Sequence, residues 1–361
     1  MPHIAAVGDH FVRPHMLTAA LQHALGQAGA LGALGEGGAL FSAAHLEFDW
    51  PDTPLQDAAP GIEVSEYVGD PQAMAAMARD ADVLLLHTAP VTRALLEACP
   101  HLRIVGVTRG GCINVNVEAC SARGIPVVHA PGRNAQAAIE FTMAMILAAA
   151  RGIAPAHVVL REGVWEGQRT RYELAGREVR GQTVGLVGFG AIAQGLAPYL
   201  HAFGMKILAF DPYAPPARFA ELGATPVDFA TLLAEADFVS IHARVTPETH
   251  HMINAAALAQ MKPGAYVINS ARGPLLDYDA LYTALVAGQI AGAALDCFAT
   301  EPPDPQSPLL KLPNVTVTPH LAGNTREAAE RGAAMVAEDV ARFLTGRPLL
   351  RCLNARALGW E

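Results

Sequence analysis

Short runs of apolar residues alternate along the chain with longer segments in which apolar residues recur every three or four positions. The short runs, such as Asp82 to Leu86 and Thr183 to Val187, predict buried strands, and the longer segments predict helices with an apolar face. Strands that alternate with helices form parallel sheets that helices cover on both faces. Because there are two successive alternations, the sequence predicts an α/β fold of two domains.

The first alternation runs to Val128. Gly26 to Gly38, which is rich in Gly and Ala and nearly free of charge, predicts a mobile loop or a poorly formed helix end. Asn134 is expected to cap a helix that runs to Arg151, and because this helix is apolar on most faces we expect it to be buried between domains or subunits. The expected strands are His3 to Val7, Ile62 to Val64, Asp82 to Leu86, Leu102 to Val107 and Ile125 to Val128, and the expected helices are Pro14 to Gln27, Pro71 to Arg79, Thr92 to Cys99 and Val115 to Arg123.

The second alternation follows a long, partly polar connection, Gly152 to Arg180, which contains Trp165. Six strands with helices between them suit a doubly wound Rossmann sheet. A last helix, Thr325 to Leu344, is expected to return to the first domain. The six strands are Thr183 to Val187, Lys206 to Phe210, Phe238 to His242, Ala265 to Asn269, Gly292 to Leu295 and Asn314 to Thr318, and the helix caps are Asp228, Asn254 and Asp277.

The segment from Thr183 to Tyr213 has the features of a dinucleotide-binding unit. Gly188 allows a tight turn from strand to helix, and Gly190 lets the backbone approach a diphosphate. Ala193 is the small third residue, and the helix start offers free N–H groups to phosphate. Asp211 ends the next strand, where its carboxylate can bind the ribose hydroxyls and repel a 2′-phosphate. The pattern therefore favours NAD over NADP.

Composition narrows the class of partner. Hydrophobic residues make up 52% of the chain and charged residues 16%, and the formal charge is −9 without a basic cluster. Since binding to nucleic acid depends on Lys and Arg, we expect no nucleic-acid partner. The longest apolar helical run is too short to span a bilayer, and the N-terminus lacks the pattern of a signal peptide. We therefore expect no membrane partner and a cytoplasmic location. The five cysteines are scattered and read as thiols of a reducing compartment, without disulfides or a metal site: Cys99, Cys112, Cys120, Cys297 and Cys352.

Three chemically active side chains follow three strands of the second domain. Arg272, Glu301 and His320 come after the strands that end near Asn269, Leu295 and Thr318. Ligands of open parallel sheets bind just beyond the carboxyl ends of the strands, so the three side chains are expected to meet at the cofactor crevice. Taken singly, Arg272 would more often form a surface ion pair, Glu301 would be a solvated loop acid, and His320 would be a hydrogen-bonded histidine of the core.

The residue types point to hydride transfer to a carbonyl group. Histidine can donate or accept a proton near neutral pH, and Glu301 as its neighbour favours the charged ring and one tautomer. Arg272 can hold a carboxylate in a bidentate fork and polarise an adjacent carbonyl. A 2-oxo or 2-hydroxy acid carries these groups.

In this light the sequence resembles the D-isomer-specific 2-hydroxyacid dehydrogenase family, which includes D-3-phosphoglycerate, glycerate, lactate and formate dehydrogenases. The resemblance covers most of the chain, and the order of the motifs is highly specific. The motifs that carry it are HAPGRNAQAAIEFTMAMILAAAR (129–151), VGLVGFGAIA (184–193), VSIHARVTPETHHMI (239–253), INSARGPLLDYDAL (268–281), GAALDCFATEPP (292–303) and NVTVTPHLAG (314–323).

The resemblance implies two Rossmann-like doubly wound domains. Residues 1–130 with 324–361 would be a flavodoxin-like substrate-binding domain, and residues 131–323 would bind NAD. Arg272, Glu301 and His320 match the family's catalytic residues, and Asp296 matches the acid near the nicotinamide amide. A homodimer built around the nucleotide domain is implied as well. The residues expected to bind the cofactor are Gly188, Gly190, Ala191, Ile192, Asp211, His242, Thr249, Ser270, Ala271, Asp296 and Gly323.

Departures from the family pattern concern the substrate. Arg109, Gly110 and Gly111 match a loop whose backbone holds the substrate carboxylate, and Arg109 replaces a glycine there. This cation either binds a second anionic group, such as a phosphate or a sugar-acid carboxylate, or faces solvent or the diphosphate. His87 and Thr88 stand where relatives often have Arg-Ser, which weakens a direct assignment to 3-phosphoglycerate. These residues, with Arg272, are expected to bind the substrate.

Two other functions remain possible at this stage. A dinucleotide-sensing binding protein of the corepressor type can keep all three catalytic residues on the same fold. Dehydrogenases of other substrate classes, for formate or phosphite, are related too, although formate dehydrogenases carry Gln where this chain has Glu301. The leading expectation is an NAD-dependent oxidoreductase for a small D-2-hydroxyacid or 2-oxo acid, such as hydroxypyruvate, glyoxylate, or a phosphorylated or sugar-derived acid.

Overall fold

The computed structural model describes residues 1–28, 40–51 and 63–360. The chain divides into two compact units. Unit 1 consists of Met1–Asn134 and Asn324–Glu361, and unit 2 of Ala135–Gly323. Each unit contains one parallel sheet with helices, so the predicted fold class, two doubly wound α/β domains, is confirmed.

Unit 1 is built on a five-stranded parallel sheet in the order β2-β1-β3-β4-β5. Its central strands are apolar runs buried on both faces, as parallel strands between helix layers must be. This strand order is that of flavodoxin-like sheets. The strands are β1 His3–Asp9, β2 Ser42–Phe48, β3 Val83–Leu86, β4 Ile104–Val107 and β5 Val127–His129, and the helices between them are α1 Pro14–Gln27, α2 Pro71–Ala78, α3 Arg93–Ala98 and α4 Val117–Ala122.

One predicted strand of unit 1 was wrong. Glu63 and Val64 are not part of a strand, and Ile62 lies outside the described residues. The strand at that edge is β2, whose exposure alternates along its length because one face is turned to solvent. Most of the Gly/Ala-rich segment from Gly26 to Gly38 also lies outside the described residues.

Unit 2 contains a seven-stranded parallel sheet in the order β12-β11-β10-β9-β6-β7-β8. The chain direction across the sheet reverses between β6 and β9, which is the crevice where doubly wound sheets bind dinucleotides. The strands are β6 Thr183–Val187, β7 Lys206–Phe210, β8 Thr225–Pro226, β9 Phe238–Ile241, β10 Tyr266–Asn269, β11 Gly292–Leu295 and β12 Val315–Val317, and the helices are α5 Ala135–Arg151, α6 Ile153–Arg161, α7 Ala191–Ala202, α8 Pro216–Glu221, α9 Phe229–Glu235, α10 Ala255–Gln260 and α11 Tyr278–Val286.

The structure adds two elements to the predicted second domain. β8 is a seventh strand of only two residues, too short to show a pattern. The connection predicted for residues 152–180 contains helix α6, and Pro155 lies in the first turn of this helix, where proline is tolerated. The predicted caps are confirmed: Asp228, Asn254 and Asp277 each accept backbone N–H bonds at the starts of α9, α10 and α11.

Helix α5 is buried within unit 2. It packs on α7 and on strands β10 to β12. The approach to α7 is close, since a Cβ atom on Gly195 would lie 2.3 Å from Ile139 Cδ1. Its apolar faces are thus explained by the core of its own unit.

Helix α12, Arg326–Leu344, belongs to unit 1. It packs against α1, β4 and β5, and a Cβ atom on Gly106 would lie 2.4 Å from Val336 Cγ1. The chain after α12 then covers the edge of the sheet. Leu353 N–H donates to Val127 O (2.8 Å), and Asn354 Oδ1 accepts from Val127 N–H (2.9 Å). Both ends of the chain therefore complete unit 1.

Among the described residues, no single helix has the length and apolar composition needed to cross a bilayer. The consecutive helices α5 and α6 meet these two criteria only when taken together, and they are bent by 68°. Four of the five cysteines, Cys99, Cys112, Cys120 and Cys297, are buried.

Candidate active site

Three neighbouring strands of unit 2 carry the predicted catalytic side chains. β10, β11 and β12 pair in parallel, so the loops that follow them emerge at the same edge of the sheet. Arg272 lies in the loop after β10, Glu301 in the loop after β11 and His320 in the loop after β12. The structure brings all three to this edge.

His320 and Glu301 form a hydrogen-bonded ion pair. His320 Nδ1 lies 2.8 Å from Glu301 Oε2, and Glu301 Oε1 accepts the Phe298 N–H at 3.0 Å. Because an ionised carboxylate only accepts, the ring carries its proton on Nδ1, which leaves Nε2 for proton exchange. The His320 side chain is 45% exposed.

The pair has mutually shifted pKa values. The hydrogen bond that His320 donates to Glu301 raises the pKa of His320 above its ordinary value, although burial and the charge of Arg272 act against this. Burial favours neutral Glu301, but the hydrogen bonds from His320 and Phe298 outweigh it and lower its pKa. The pair therefore favours an imidazolium beside a carboxylate near neutral pH.

Asp296 positions the loop that carries His320. Its side chain is fully buried. Asp296 Oδ1 accepts from Thr318 Oγ1 (2.7 Å) and Leu321 N–H (2.8 Å), and Oδ2 accepts from Ala322 N–H (2.8 Å). His320 itself has a backbone φ of 54°, a left-handed conformation that costs energy in a residue with a side chain. The hydrogen bonds of Asp296 hold the loop in this conformation. The contact of Asp296 with the nicotinamide amide stays a prediction.

The loop that carries Arg272 is held by Asn269, which the sequence analysis did not single out. Asn269 Oδ1 accepts from Ala271 N–H (3.1 Å), and its Nδ2 donates to Arg272 O (3.0 Å). Arg272 is exposed, and its Nη1 donates to Ala271 O (2.7 Å). Asn269 is the last residue of β10, so a search of the strand ends that includes the last strand residue would find it.

Gly273 brings the Arg272 loop directly against the Glu301 loop. A Cβ atom on Gly273 would lie 1.8 Å from Phe298 O. Phe298 in turn donates its N–H to Glu301. Backbone contact thus fixes the spacing of the two loops, and Arg272 is close enough to Glu301 and His320 to affect their pKa values.

Two further contacts hold this edge of the sheet. The Tyr278 hydroxyl donates to Cys297 O and lies 3.4 Å from Asn269 Nδ2. Ser270 Oγ lies 2.7 Å from Thr142 Oγ1 in α5. Since Thr142 donates its proton to Ala138 O (2.7 Å), Ser270 is the donor to Thr142. The Ser270 hydroxyl therefore ties the loop to α5.

The start of α7 offers a site for an anion beside the switch point. Gly190 precedes the helix, and a Cβ atom there would meet nothing within 4 Å. No side chain caps α7, so the N–H groups of Ala191 and Ile192 keep their hydrogen-bonding capacity. Gly188 has a φ of 91°, and its backbone lies close to the loop that follows β9. A Cβ atom on Gly188 would lie 2.8 Å from Ala243 N. These features suit a diphosphate.

Asp211 lies half-buried at the end of β7. Its Oδ2 accepts from Phe189 N–H (2.8 Å), and its Oδ1 accepts from Tyr213 N–H (2.9 Å) and Ala214 N–H (3.2 Å). A carboxylate has about four acceptor positions, so capacity remains for a ribose hydroxyl. Asp211 thus links the glycine turn after β6 to the loop after β7.

The other predicted cofactor residues of unit 2 lie in loops after its strands. Burial lowers the pKa of His242 to about 4, so the ring is neutral, and its Nε2 lies 2.9 Å from Ser240 Oγ. Thr249 Oγ1 donates to Arg244 O (2.6 Å) and stabilises the turn there. Ala271 and Gly323 lie beside Arg272 and beyond the His320 loop, respectively. Their contact with a cofactor stays a prediction.

The predicted substrate residues lie at the carboxyl edge of the unit 1 sheet. His87 and Thr88 are both buried and hydrogen-bonded to Asp9, which ends β1. Arg109 pairs with Glu66, and its Nη1 also donates to Glu66 O (2.8 Å). Gly110 and Gly111 form an open turn, in which a Cβ on Gly111 would meet nothing within 4 Å.

Within the part of the chain that the structure describes, no three His, Cys, Asp or Glu side chains form a group that could hold a metal ion.

This chain is similar to several known proteins. Residues 143–322 match the D-isomer specific 2-hydroxyacid dehydrogenase, NAD binding domain. The chain is 46% identical over 268 residues to a D-3-phosphoglycerate dehydrogenase of Mycobacterium leprae, covering 74% of this chain and 50% of the relative. It is 40% identical over 268 residues to a hydroxypyruvate reductase of Thermotoga maritima, covering 73% of this chain and 85% of the relative.

A solved structure is similar as well. The D-lactate dehydrogenase from Aquifex aeolicus, complexed with NAD and lactic acid, shares 30% identity at a TM-score of 0.61 and covers 75% of this chain and 85% of that one. The match to the phosphoglycerate dehydrogenase spans about half of that relative's length. The resemblance seen in the sequence is confirmed: the chain belongs to the D-isomer-specific 2-hydroxyacid dehydrogenase family.

Proposed function

We propose that the chain is an NAD-dependent dehydrogenase that interconverts a D-2-hydroxyacid and its 2-oxo acid. The observation that carries this proposal is the His320–Glu301 pair, 2.8 Å apart, on the loops next to Arg272. An acid–base group, its orienting carboxylate and a guanidinium at one sheet edge are the groups that carbonyl reduction needs.

The residues of unit 2 fit NAD, the cofactor of this family's nucleotide domain. When bound, the oxidised cofactor would accept the hydride, and its reduced form, NADH, would supply it. The uncapped start of α7 beside Gly190 would hold the diphosphate, and Asp211 would accept hydrogen bonds from the adenosine ribose. The carboxylate of Asp211 would disfavour a 2′-phosphate in the same place.

His320 would move the proton of the reaction. In reduction, Nε2–H donates to the carbonyl oxygen as negative charge develops there, and in oxidation the neutral Nε2 accepts the hydroxyl proton. Glu301 keeps the ring proton on Nδ1 and favours the charged ring. Arg272 would bind the substrate carboxylate and polarise the carbonyl group beside it.

The remaining assignments concern the domains and the substrate. We assign NAD binding to residues 131–323 and substrate binding to residues 1–130 with 324–361. His87, Thr88, Arg109, Gly110 and Gly111 are the residues of the substrate-binding domain proposed to contact a small 2-oxo or 2-hydroxy acid. The open turn at Gly111 supports this, since exposed backbone N–H groups can hold a carboxylate.

A homodimer is proposed from the surface formed by α6 and residues 162–174. Large apolar side chains are exposed there, and a single copy of the chain leaves them facing water. A second copy that covers this surface would bury them, as expected for an obligate interface. The exposed side chains are Ile153, Val158, Leu160, Val164, Trp165, Tyr172 and Leu174. The buried free thiols of Cys99, Cys112, Cys120 and Cys297 support a reducing, cytoplasmic location.

The test is NADH oxidation with a panel of 2-oxo acids: glyoxylate, hydroxypyruvate, pyruvate and 3-phosphohydroxypyruvate. His320→Gln should lower kcat by about 10²- to 10⁴-fold, because general acid catalysis is lost, while NADH binding stays within a few-fold. His201→Gln, the same substitution at an exposed histidine of unit 2, is the control. Unchanged turnover in His320→Gln would remove this residue from catalysis. NADH binding without turnover of any acid would favour a sensing role instead.

A further inference from the structure

A buried polar cluster lies at the switch point of the unit 1 sheet. Asp9 ends β1, and His87 and Thr88 follow β3, the neighbouring strand. The order β2-β1-β3-β4-β5 places the reversal of chain direction between β1 and β3, where flavodoxin-like sheets bind ligands. Arg133, in the turn after β5, joins this cluster. We call Asp9, His87, Thr88 and Arg133 the Arg133 cluster.

The cluster is a chain of hydrogen bonds that ends on a guanidinium. Asp9 Oδ2 lies 2.7 Å from His87 Nδ1 and accepts from Thr88 Oγ1 at 2.6 Å. His87 Nε2 lies 3.3 Å from Arg133 Nη2. The Asp9 carboxylate can only accept a hydrogen bond, so the His87 ring carries its proton on Nδ1. The Arg133 guanidinium can only donate, so His87 accepts at Nε2. Burial lowers the pKa of His87, so the ring is neutral and relays rather than adds charge.

The Arg133 side chain is packed and hydrogen-bonded, but some of its N–H groups have no acceptor among the described residues. Its guanidinium lies 5.5 Å from the centre of the Phe11 ring, and its Nη1 donates to Ala328 O (3.3 Å). The residue is only 9% exposed. In the described residues, no carboxylate lies within ion-pair distance of it. Of its five N–H donors, the described contacts use two.

The surroundings of Arg133 favour a negatively charged ligand. Burial lowers the pKa of Arg133 to about 10, and the nearby positive charge of Arg109 acts in the same direction, whereas the negative charge of Asp9 opposes them. The buried hydroxyl of Thr108 has no hydrogen-bond partner among the described residues. Both the Thr108 and Arg133 side chains border Gly332 of α12, where a Cβ would lie 2.8 Å from Arg133 Cδ and 3.4 Å from Thr108 Cβ. A buried cation with free donors and a like-charged neighbour is stabilised by an anion.

We propose that Arg133 is a specificity-determining residue that binds a second anionic group of the substrate, a carboxylate or a phosphate, and that Asp9 and His87 position it. The proposal rests on the proposed dehydrogenase function and narrows its substrate to acids with two anionic groups. It transfers to Arg133 the role that the sequence left open for Arg109, whose guanidinium is paired with Glu66.

The kinetic test compares matched 2-oxo acids in the full-length protein with NADH. Glyoxylate and pyruvate carry one anionic group, 2-oxoglutarate and oxaloacetate carry a distal carboxylate, and 3-phosphohydroxypyruvate carries a distal phosphate. Arg133→Gln should lower the ratio of kcat/KM for the best dianionic acid over pyruvate by about 10- to 100-fold, mainly through KM, as expected for a lost charged hydrogen bond. Which dianionic acid suffers identifies the anion as carboxylate or phosphate.

Two more variants separate anion binding from a structural role. Gly332→Ala keeps the charge but moves the Arg133 side chain, because the new Cβ would lie 2.8 Å from Arg133 Cδ and 3.1 Å from Thr108 O. The ratio should fall while the protein stays folded, which thermal unfolding checks. Arg103→Gln is the control, because Arg103 is another arginine of unit 1 that lies 5.4 Å from an aromatic ring centre, that of Phe343. It should leave the ratio unchanged. Equal losses for both classes of acid in Arg133→Gln, or none, would overturn the proposal.

A binding measurement keeps this test independent of turnover. The Trp50 ring lies 6.3 Å from the His87 ring, centre to centre, so its fluorescence should respond when inorganic phosphate or malonate binds at the cluster. Trp50→Phe removes the signal and identifies its source. Saturable binding that Arg133→Gln abolishes supports the anion site even if no 2-oxo acid is reduced, a result that would count only against the dehydrogenase function. Binding unaffected by Arg133→Gln, or no saturable response, would refute the site.

Discussion

Gly273 offers a sharp test of how closely the site depends on loop spacing. Its Cβ position lies 1.8 Å from Phe298 O, whereas real Cβ atoms essentially never come within 3.0 Å of such an atom. The atom in the way belongs to the backbone, which cannot rotate aside as a flexible side chain can. Gly273→Ala must therefore move the Arg272 loop and the Glu301 loop apart.

The size of the effect follows from the distances. An increase from 1.8 Å to at least 3.0 Å is a displacement of about 1.2 Å between two loops that carry Arg272 and Glu301. A misplacement of about 1 Å can lower a rate about 10²-fold when the reacting groups must be held in position. We expect kcat to fall by about 100-fold, and overpacking to lower the free energy of unfolding by about 1–3 kcal/mol.

The assay is steady-state reduction of the best 2-oxo acid, with NADH affinity and thermal unfolding measured on the same protein. NADH affinity should fall less than kcat, because α7 and Asp211 are untouched, whereas Ser270 and Ala271 of the predicted cofactor site lie in the displaced loop. Gly167→Ala is a control, since a Cβ there would meet only the Trp165 ring at 3.8 Å. A Gly273→Ala protein with full activity would refute the argument that backbone contact sets the loop spacing.

Three further predictions test other parts of the assignment. Glu301→Gln removes the bond that raises the pKa of His320, so reduction, which needs the protonated ring, should lose activity at a lower pH than in the wild type; a pH–rate profile measures this. Asp211→Ala should reduce the preference for NAD over NADP by about 10-fold or more, as read from kcat/KM for both cofactors. Trp165→Glu places a charge on a side chain that is 83% exposed in one copy of the chain, and light scattering should show a shift from dimer to monomer.

Each of these predictions can fail in a distinct way. A pH profile in Glu301→Gln that matches the wild type would mean that this carboxylate does not control the protonation of His320. An unaltered cofactor ratio in Asp211→Ala would contradict its ribose role. If Trp165→Glu keeps the mass of the wild type, the α6 surface is not the dimer interface.

Much of the fold follows from local sequence patterns. Strands such as β6, β7 and β11 have the predicted bounds because buried parallel strands are short apolar runs that end at polar residues or glycine. β2 was not predicted because it lies at an edge, where exposed Ala43, His45 and Glu47 alternate with half-buried Ser42, Ala44, Leu46 and Phe48. Its alternating exposure is a period-two signal that a search for half-buried strands would detect.

The site was predictable only in part. Arg272, Glu301 and His320 could be placed because parallel strands align their carboxyl ends, and this rule needs only the chain order. The contacts that hold them could not. Thr142 and Ser270 are 128 residues apart, and the contact of Gly273 with Phe298 depends on sub-ångström spacing of two loops.

The Arg133 cluster shows the same limit. Asp9, His87 and Arg133 come from separate parts of the chain, and Arg133 lies 46 residues after His87. Nothing local in the segment Ala130 to Arg133 distinguishes a solvated arginine from a buried one. Only the packing of Phe11 and α12 around it reveals the difference.

The composition of unit 1 from both ends of the chain has a consequence for biosynthesis. The face of β4 at Gly106 is covered by Val336 of α12, a segment that leaves the ribosome only after the whole of unit 2. At about 5–20 residues per second, unit 2 takes roughly 10–40 s to be translated. During this interval the nascent unit 1 exposes an apolar sheet face to the crowded surroundings, while unit 2, being continuous, can complete its own core first. Chaperone dependence of this protein should therefore concentrate on its N-terminal segment.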